Sequence, residues 1–218
     1  MTNSLLLLDV DGTLLDTKGA GVTPFKDAIS LVSGTAVEFD RESNRGKTDH
    51  MIARSFLHGE AALDDEEIET VLRLYESGLR KALQVQPAVA YSGVIEVLEY
   101  LQSHPDVAVV AATGNTELGL RLKLESAKLD KLLVKHYCST SSDLKRSQIL
   151  LRAKKDFPEV KRLIVVGDTR HDAIAAHEIG SRFAAVTSHY YGESIAKQDL
   201  ADYLVPHPWS IDMFQELI

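Results

Sequence analysis

A chain of 218 residues, 44% hydrophobic and 26% charged, is long enough to bury a sizeable core and has the composition of a soluble globular protein. Its formal net charge of −8, with no basic tract, excludes a general nucleic-acid binder and leaves a small molecule as the expected partner. A lone cysteine, Cys138, excludes an intramolecular disulfide, and no apolar run is long enough to span a membrane, so the expected location is the cytoplasm with no membrane partner.

The first element is SLLLLDVDGTLLD, Ser4 to Asp16. Leu5 to Leu8 form a continuous apolar run, the pattern of a strand buried on both faces, and it delivers Asp9 and Asp11 just before the turn residue Gly12. Carboxylates at the mouth of a buried strand are costly unless something pairs with them, so their placement points to joint work on a metal and a substrate.

From Asp16 to about Ala90 the patterns are helical. Pro24 suits a first helical turn and is followed by Phe25, Ala28, Ile29 and Val32 at helical spacing. Asp64 reads as an N-cap with Glu67 three residues on, leading an apolar stripe of Ile68, Val71, Leu72, Tyr75 and Leu79. Between them lies NRGKTDHMI, in which Arg45 and Lys47 flank Gly46. Either cation could meet an anionic group of a ligand, or the segment could be a solvated turn.

From Tyr91 onward strands and helices alternate. A helix over about 92–102 leads to the strand VAVVAA (107–112), and TGN then opens a helix through about 127. A short strand at 134–138 precedes a helix over 145–155, the strand RLIVVG ending on Asp168, and a helix over 173–179. Strands at 183–186 and 203–205 follow. Alternation of this kind means an α/β fold, a Rossmann-like parallel sheet with helices on both faces, here with an all-helical insertion. Such sheets bind ligands at the carboxyl ends of their strands, where Asp9, Asp11, Thr113 and Asp168 all fall. Taken singly, Thr113 could be a helix N-cap and Asp168 a turn residue. His171 and His177 do not share a helix face, Tyr190 and Tyr191 could line a pocket mouth or an interface, and Trp209 reads as an anchor for a C-terminal helix.

The motifs DVDGT (Asp9 to Thr13), ATGN (Ala112 to Asn115), Lys145 and GDTRHD (Gly167 to Asp172), in that order, resemble the haloacid dehalogenase superfamily, in its phosphatase-like branch with a helical cap after the first motif. The resemblance implies a core of residues 1–15 and 91–218 and a cap of residues 16–90. It implies Asp9 as the nucleophile that takes up the phosphoryl group, and Asp11 as the acid that protonates the leaving alcohol and then activates water. It further implies Mg²⁺ held by Asp9, the backbone carbonyl of Asp11 and Asp168. Thr113 and Gly114 would donate to the phosphoryl group, Lys145 would supply fixed charge, and Asp172 would orient a metal water or Lys145.

Asn115 is expected to cap the following helix rather than touch substrate, and Arg45 and Lys47 are the cap's candidates for a second anionic group. In place of the proline that usually follows the lysine, the chain has Arg146. Lys161 competes for the lysine role but precedes its strand, which places it at the opposite edge of the sheet. The implied activity is phosphoric monoester hydrolysis of a small phosphorylated metabolite, with phosphoglycolate the first candidate. A phosphomutase is the nearest alternative, lowered by Thr48 and Asp49 standing where mutases carry a serine–arginine pair. Lys47 keeps a phosphonate-cleaving enzyme only just in view. A receiver-type phospho-acceptor is the alternative from another class, opposed by the second acid and the large insertion. Whether the chain is a monomer or a homodimer stays open.

Overall fold

Five residues, Ser4–Leu8, make strand β1, and every one of them is buried. In the computed structural model, which describes residues 2–57, 65–133, 135–143, 145–187 and 200–218, β1 is hydrogen-bonded on both sides, to β4 (Val107–Ala112) and β6 (Arg162–Gly167), in parallel. Strands β5 (His136–Tyr137), β7 (Arg182–Val186) and β8 (Tyr203–Val205) complete a six-stranded parallel sheet ordered β5-β4-β1-β6-β7-β8. The period-2 alternation divides the leucines of β1 between two apolar layers. Leu6 and Leu8 pack in the layer that includes Val97, Leu98, Trp209 and Phe214, while Leu5 and Leu7 pack with Ile149, Ala153, Ala173 and Phe183. The all-apolar run is thus explained by burial on both faces.

Register places the functional edge. Leu8 lies opposite Ala111 of β4 and Val166 of β6, so Asp9 comes level with Ala112 and Gly167. Thr113 and Asp168 therefore begin one residue beyond Asp9, on the neighbouring strands.

Between β2 (Leu15–Asp16) and β3 (Val89–Ala90) the chain forms helices α1 (Val22–Ser33), α2 (Arg41–Asn44), α3 (Asp49–Leu57) and α4 (Asp65–Val85). β2 and β3 pair antiparallel, Leu15 opposite Ala90 and Asp16 opposite Val89, so the insertion leaves and re-enters through a two-stranded ribbon. Two-residue strands carry no readable alternation, and the ribbon has no signature in the sequence. The predicted stripe of α4 is buried, Ile68, Val71, Leu72, Tyr75 and Leu79 together with Leu83. It packs on α1, where the Phe25 and Tyr75 ring centroids are 4.4 Å apart. Asp65, Glu66 and Glu67 occupy the first turn of α4, where carboxylates meet the positive end of the helix dipole. Asp64, Val134, Tyr190 and Tyr191 lie outside the described residues.

The remaining helices are α5 (Val94–Gln102), α6 (Glu117–Ser126), α7 (Arg146–Lys155), α8 (Arg170–Glu178) and α9 (Ile211–Gln215). Two helix starts differ from expectation. α6 is capped by Thr116, whose side chain accepts from Gly119 N at 3.1 Å, and not by Asn115. α8 begins at Arg170 behind a reciprocal capping box of Thr169 and Asp172, three residues earlier than the apolar pattern suggests. Trp209 is buried against Phe214 of α9, ring centroids 4.6 Å apart. Among the described residues no helix is long and apolar enough to cross a membrane.

Candidate active site

Three carboxylates meet at the carboxyl edge of the sheet: Asp9 after β1, Asp168 after β6 and Asp172 in the first turn of α8. All three are buried, and an oxygen from each lies within 4.8 Å of the others. Two guanidinium groups answer them. Arg146, the first residue of α7, donates from Nη2 to Asp9 Oδ1 and brings Nε to 2.6 Å from Asp172 Oδ1. Arg45, from the loop after α2, donates from Nη2 to Asp168 Oδ2. Three acids against two cations leave negative charge in excess. Burial pushes the Asp9 carboxyl up to about 7, because Arg146 offsets only part of that cost and Asp172, Asp168 and Asp11 add repulsion. Burial, with repulsion from Asp172, likewise pushes Asp168 up to about 6.

A buried cluster of hard oxygen donors with uncompensated negative charge fits a divalent cation such as Mg²⁺. Asp9, Asp168 and Asp172 are the carboxylates placed to hold it. Gly12, at φ +85°, leaves the space taken by the Asp168 carboxylate, into which a Cβ at this position would project. The Asp11 carboxylate is not part of this cluster, so any share it has in a metal site rests on its backbone carbonyl. Its Oδ2 instead accepts from Lys123 Nζ at 2.7 Å and from Asn115 Nδ2 at 2.8 Å. Burial alone would raise the Asp11 carboxyl, but the Lys123 charge and these two hydrogen bonds hold it below the usual carboxylate range.

Lys145 requires a correction. It stands at the N-cap of α7 with its side chain 67% exposed, and its Nζ is 3.4 Å from Glu178 Oε1. The structure turns it away from the acids and brings Arg146 to them. One step along a helix rotates a side chain by about 100°, and the buried face of α7 carries Arg146, Ile149, Leu150 and Ala153. That i, i+3, i+4, i+7 pattern was the available signal for Arg146. Lys123 shows the same signal on α6, sitting between buried Leu120 and Leu124. Lys161 is exposed beside the start of β1, its backbone N–H bonded to Asn3 O at 3.0 Å, at the far edge of the sheet.

Thr113 is buried, and its Oγ1 accepts from Asn115 Nδ2 at 2.7 Å. Asn115 is thereby a link between Thr113, Asp11 and Lys123, not a helix cap. A cavity of about 610 Å³ opens over these groups, lined by Asp9, Asp11, Thr113, Gly114, Arg45 and Lys47 among others. The segment carrying Arg45 and Lys47 is no solvated turn. Gly46, at φ +76°, lies so close to α8 that a Cβ there would be 2.8 Å from Thr169 Oγ1, and Lys47 Nζ donates to Asn44 Oδ1 at 3.2 Å.

The helical insertion also grips the loop after β4. Asp49 N donates to Gly114 O at 2.7 Å, and Thr116 N donates to Asp49 Oδ2 at 2.9 Å. Thr116 Oγ1 donates to Glu76 Oε1 at 2.6 Å, and His50 Nδ1 and Ser139 Oγ are 2.5 Å apart. Burial pushes the Asp49 carboxyl up to about 6. A second grouping, Glu117, His136 and Cys138, also brings ligand atoms within 4.8 Å of one another beside β5, which no Cys/His spacing in the sequence announces.

The family described as haloacid dehalogenase-like hydrolase matches residues 6–186. The chain is 28% identical over 193 residues to "Phosphoglycolate phosphatase" of Agrobacterium fabrum, covering 85% of this chain and 81% of that protein. It is 26% identical over 198 residues to "Probable phosphatase IndB" of Dickeya dadantii, covering 84% and 80%. In fold it is similar to a hydrolase from Pseudomonas syringae, with TM-score 0.76, 21% identity and coverage of 99% and 98%. With the motif-bearing strand ends gathered at one edge and the family match spanning most of the chain, this protein belongs to the haloacid dehalogenase-like hydrolase family.

Proposed function

We propose that this hydrolase is a Mg²⁺-dependent phosphatase acting on a small phosphorylated metabolite through a phosphoryl group carried on Asp9. The observation that supports this most is the pairing at the end of β1. Asp9 is held by Arg146 over the cavity, and Asp11, two residues on, is held separately by Lys123 and Asn115.

In this reading Asp11, ionised in the free protein, takes up a proton as the phosphate ester binds. A carboxylate oxygen of Asp9 attacks phosphorus, the bond from phosphorus to the ester oxygen breaks, and Asp11 passes that proton to the departing oxygen. In the second half Asp11 takes a proton from the water that attacks the aspartyl-phosphate, releasing inorganic phosphate and restoring the Asp9 carboxylate. Thr113 Oγ and Gly114 N–H donate to the phosphoryl oxygens, and Arg146 keeps a cation beside the attacking carboxylate. Asp9, Asp168 and Asp172, with the Asp11 carbonyl, would hold Mg²⁺, and the bound cation would supply the charge that lets an anion approach a phosphate. Residues 16–90 act as the cap and residues 1–15 and 91–218 as the core, with Lys47 and Arg45, the latter already donating to Asp168, lining the cavity where a second anionic group of the substrate would lie. With the phosphoglycolate phosphatase relative, they make 2-phosphoglycolate, a phosphate ester carrying a carboxylate, the first metabolite to test. A mutase is less supported. Thr48 Oγ1 accepts from Met51 N at 3.1 Å and Asp49 holds Thr116, so both positions are already engaged within the protein.

The test is p-nitrophenyl phosphate hydrolysis with Mg²⁺. Turnover by the wild type that Asp9→Asn abolishes supports the proposal, whereas no turnover, or turnover that survives Asp9→Asn, removes it.

A further inference from the structure

Lys123 is buried in helix α6 between core leucines, with 6% of its surface exposed. An ammonium group in such a place is costly, and an apolar residue of similar volume would serve the fold at least as well. Its position is therefore informative about what it touches. Nζ donates to Asp11 Oδ2 at 2.7 Å and to Asn115 Oδ1.

The second contact has a consequence for proton order. A lysine ammonium has only donors, so the Asn115 oxygen must face it and the Asn115 NH₂ must face the other way. That NH₂ donates to Asp11 Oδ2 at 2.8 Å and to Thr113 Oγ1 at 2.7 Å. Asp11 Oδ2 thus receives two donors, while among the described residues no hydrogen bond reaches Asp11 Oδ1. Thr113 Oγ1, acting as acceptor toward Asn115, keeps its own O–H for donation elsewhere. With Lys123 removed, the Asn115 amide can reverse and the Asp11 carboxyl group can turn.

We propose that Lys123 is a positioning residue that fixes the Asp11 carboxyl group and the Asn115 amide, so that Asp11 Oδ1 is presented to the oxygen leaving with the product alcohol. This rests on the phosphatase reading above and adds to it the group that sets the geometry of proton delivery.

The test compares two aryl phosphates that differ in how much their leaving oxygen needs a proton: p-nitrophenyl phosphate, whose phenol leaves readily as an anion, and phenyl phosphate, whose phenol does not. For Lys123→Met, kcat on phenyl phosphate is expected to fall about 10- to 100-fold, the scale of a misplaced proton donor. On p-nitrophenyl phosphate it should fall only about threefold, with KM little changed on either. Lys123→Gln, which keeps a donor, should recover part of the phenyl phosphate loss. A crystal structure of Lys123→Met should show the Asp11 carboxyl group turned from its wild-type rotamer.

Equal loss on both substrates, no loss on either, or an unchanged Asp11 rotamer overturns the proposal. If Lys123→Met does not fold, the substrate ratio is read from Lys123→Gln, and failure of both variants to fold overturns the proposal in favour of a purely structural lysine. A wild type inactive on both esters counts instead against the phosphatase reading, and the rotamer still decides the role of Lys123.

Discussion

Asp9 and Asp11 leave the same strand two residues apart, yet their surroundings drive them in opposite directions. Around Asp9 three buried carboxylates share two arginines, and the Asp9 and Asp168 carboxyls are pushed up to about 7 and about 6. Around Asp11 a lysine and an amide converge on one carboxylate oxygen, and that carboxyl is held low. The first cluster is short of positive charge and the second is satisfied. The contrast teaches that a strand-end acid acquires its role from the helices that pack over it, here α7 and α8 for Asp9 and α6 for Asp11.

The largest expected effect comes from breaking the first cluster. Arg146→Met leaves Asp9 and Asp172 buried without their shared cation, and kcat should fall about 100- to 1000-fold, the scale of losing one electrostatic donor at a reacting centre. Lys145→Ala, at an exposed side chain one residue away, should stay within about twofold, as surface ion pairs contribute little. Steady-state kinetics on p-nitrophenyl phosphate checks both, and a larger loss from Lys145→Ala than from Arg146→Met contradicts the assignment.

A smaller effect follows from pH and metal. A carboxyl raised in the folded state binds protons more tightly there than in the unfolded chain, so the stability it contributes is present at low pH and lost as pH rises through its folded value. For Asp9 and Asp168 that window runs from about 4 to about 7. The metal-free protein is therefore expected to lose melting temperature between pH 5 and pH 8 through these two groups. Mg²⁺ should restore it more at pH 8 than at pH 5, because protons compete with the cation for the same oxygens. Thermal melts with Mg²⁺ and with a chelator test this, and equal Mg²⁺ stabilisation at both pH values speaks against the acid cluster as the metal site.

The smallest effect lies where the insertion grips the loop after β4. Asp49 is raised to about 6, so its charge costs stability above that pH. Asp49→Asn keeps an acceptor for Thr116 N–H and removes the charge. It should raise stability by about 1–3 kcal/mol at pH 8, with the gain vanishing near pH 4. Chemical denaturation at the two pH values measures the difference, and destabilisation at pH 8 would show that Lys123 needs the Asp49 charge.

How much of this was legible in the chain depends on the range of the interaction. β1 and its acids were readable because an unbroken apolar run ending in carboxylates has few structural explanations, and the helical insertion was readable from the stripe of α4. Arg146 and Lys123 were readable in principle, each occupying a core position of an apolar helical stripe, but the family pattern has a lysine where this chain carries Lys145 and Arg146 side by side. The β2–β3 ribbon was too short to carry a period. The hold of Asp49 on Thr116 joins residues 67 positions apart, and the Asn115 link joins Asp11 to Lys123 across more than one hundred positions. Neither depends on a local pattern, so only the folded arrangement reveals them.

The central claim, that Asp9 carries the phosphoryl group, is tested most directly by acid-quenching the enzyme during turnover of p-nitrophenyl phosphate and mapping it by mass spectrometry. The account predicts one added phosphoryl group on the peptide containing Asp9, absent from Asp9→Asn. Turnover with no phosphoryl group on that peptide, or with the group on another residue, would contradict it.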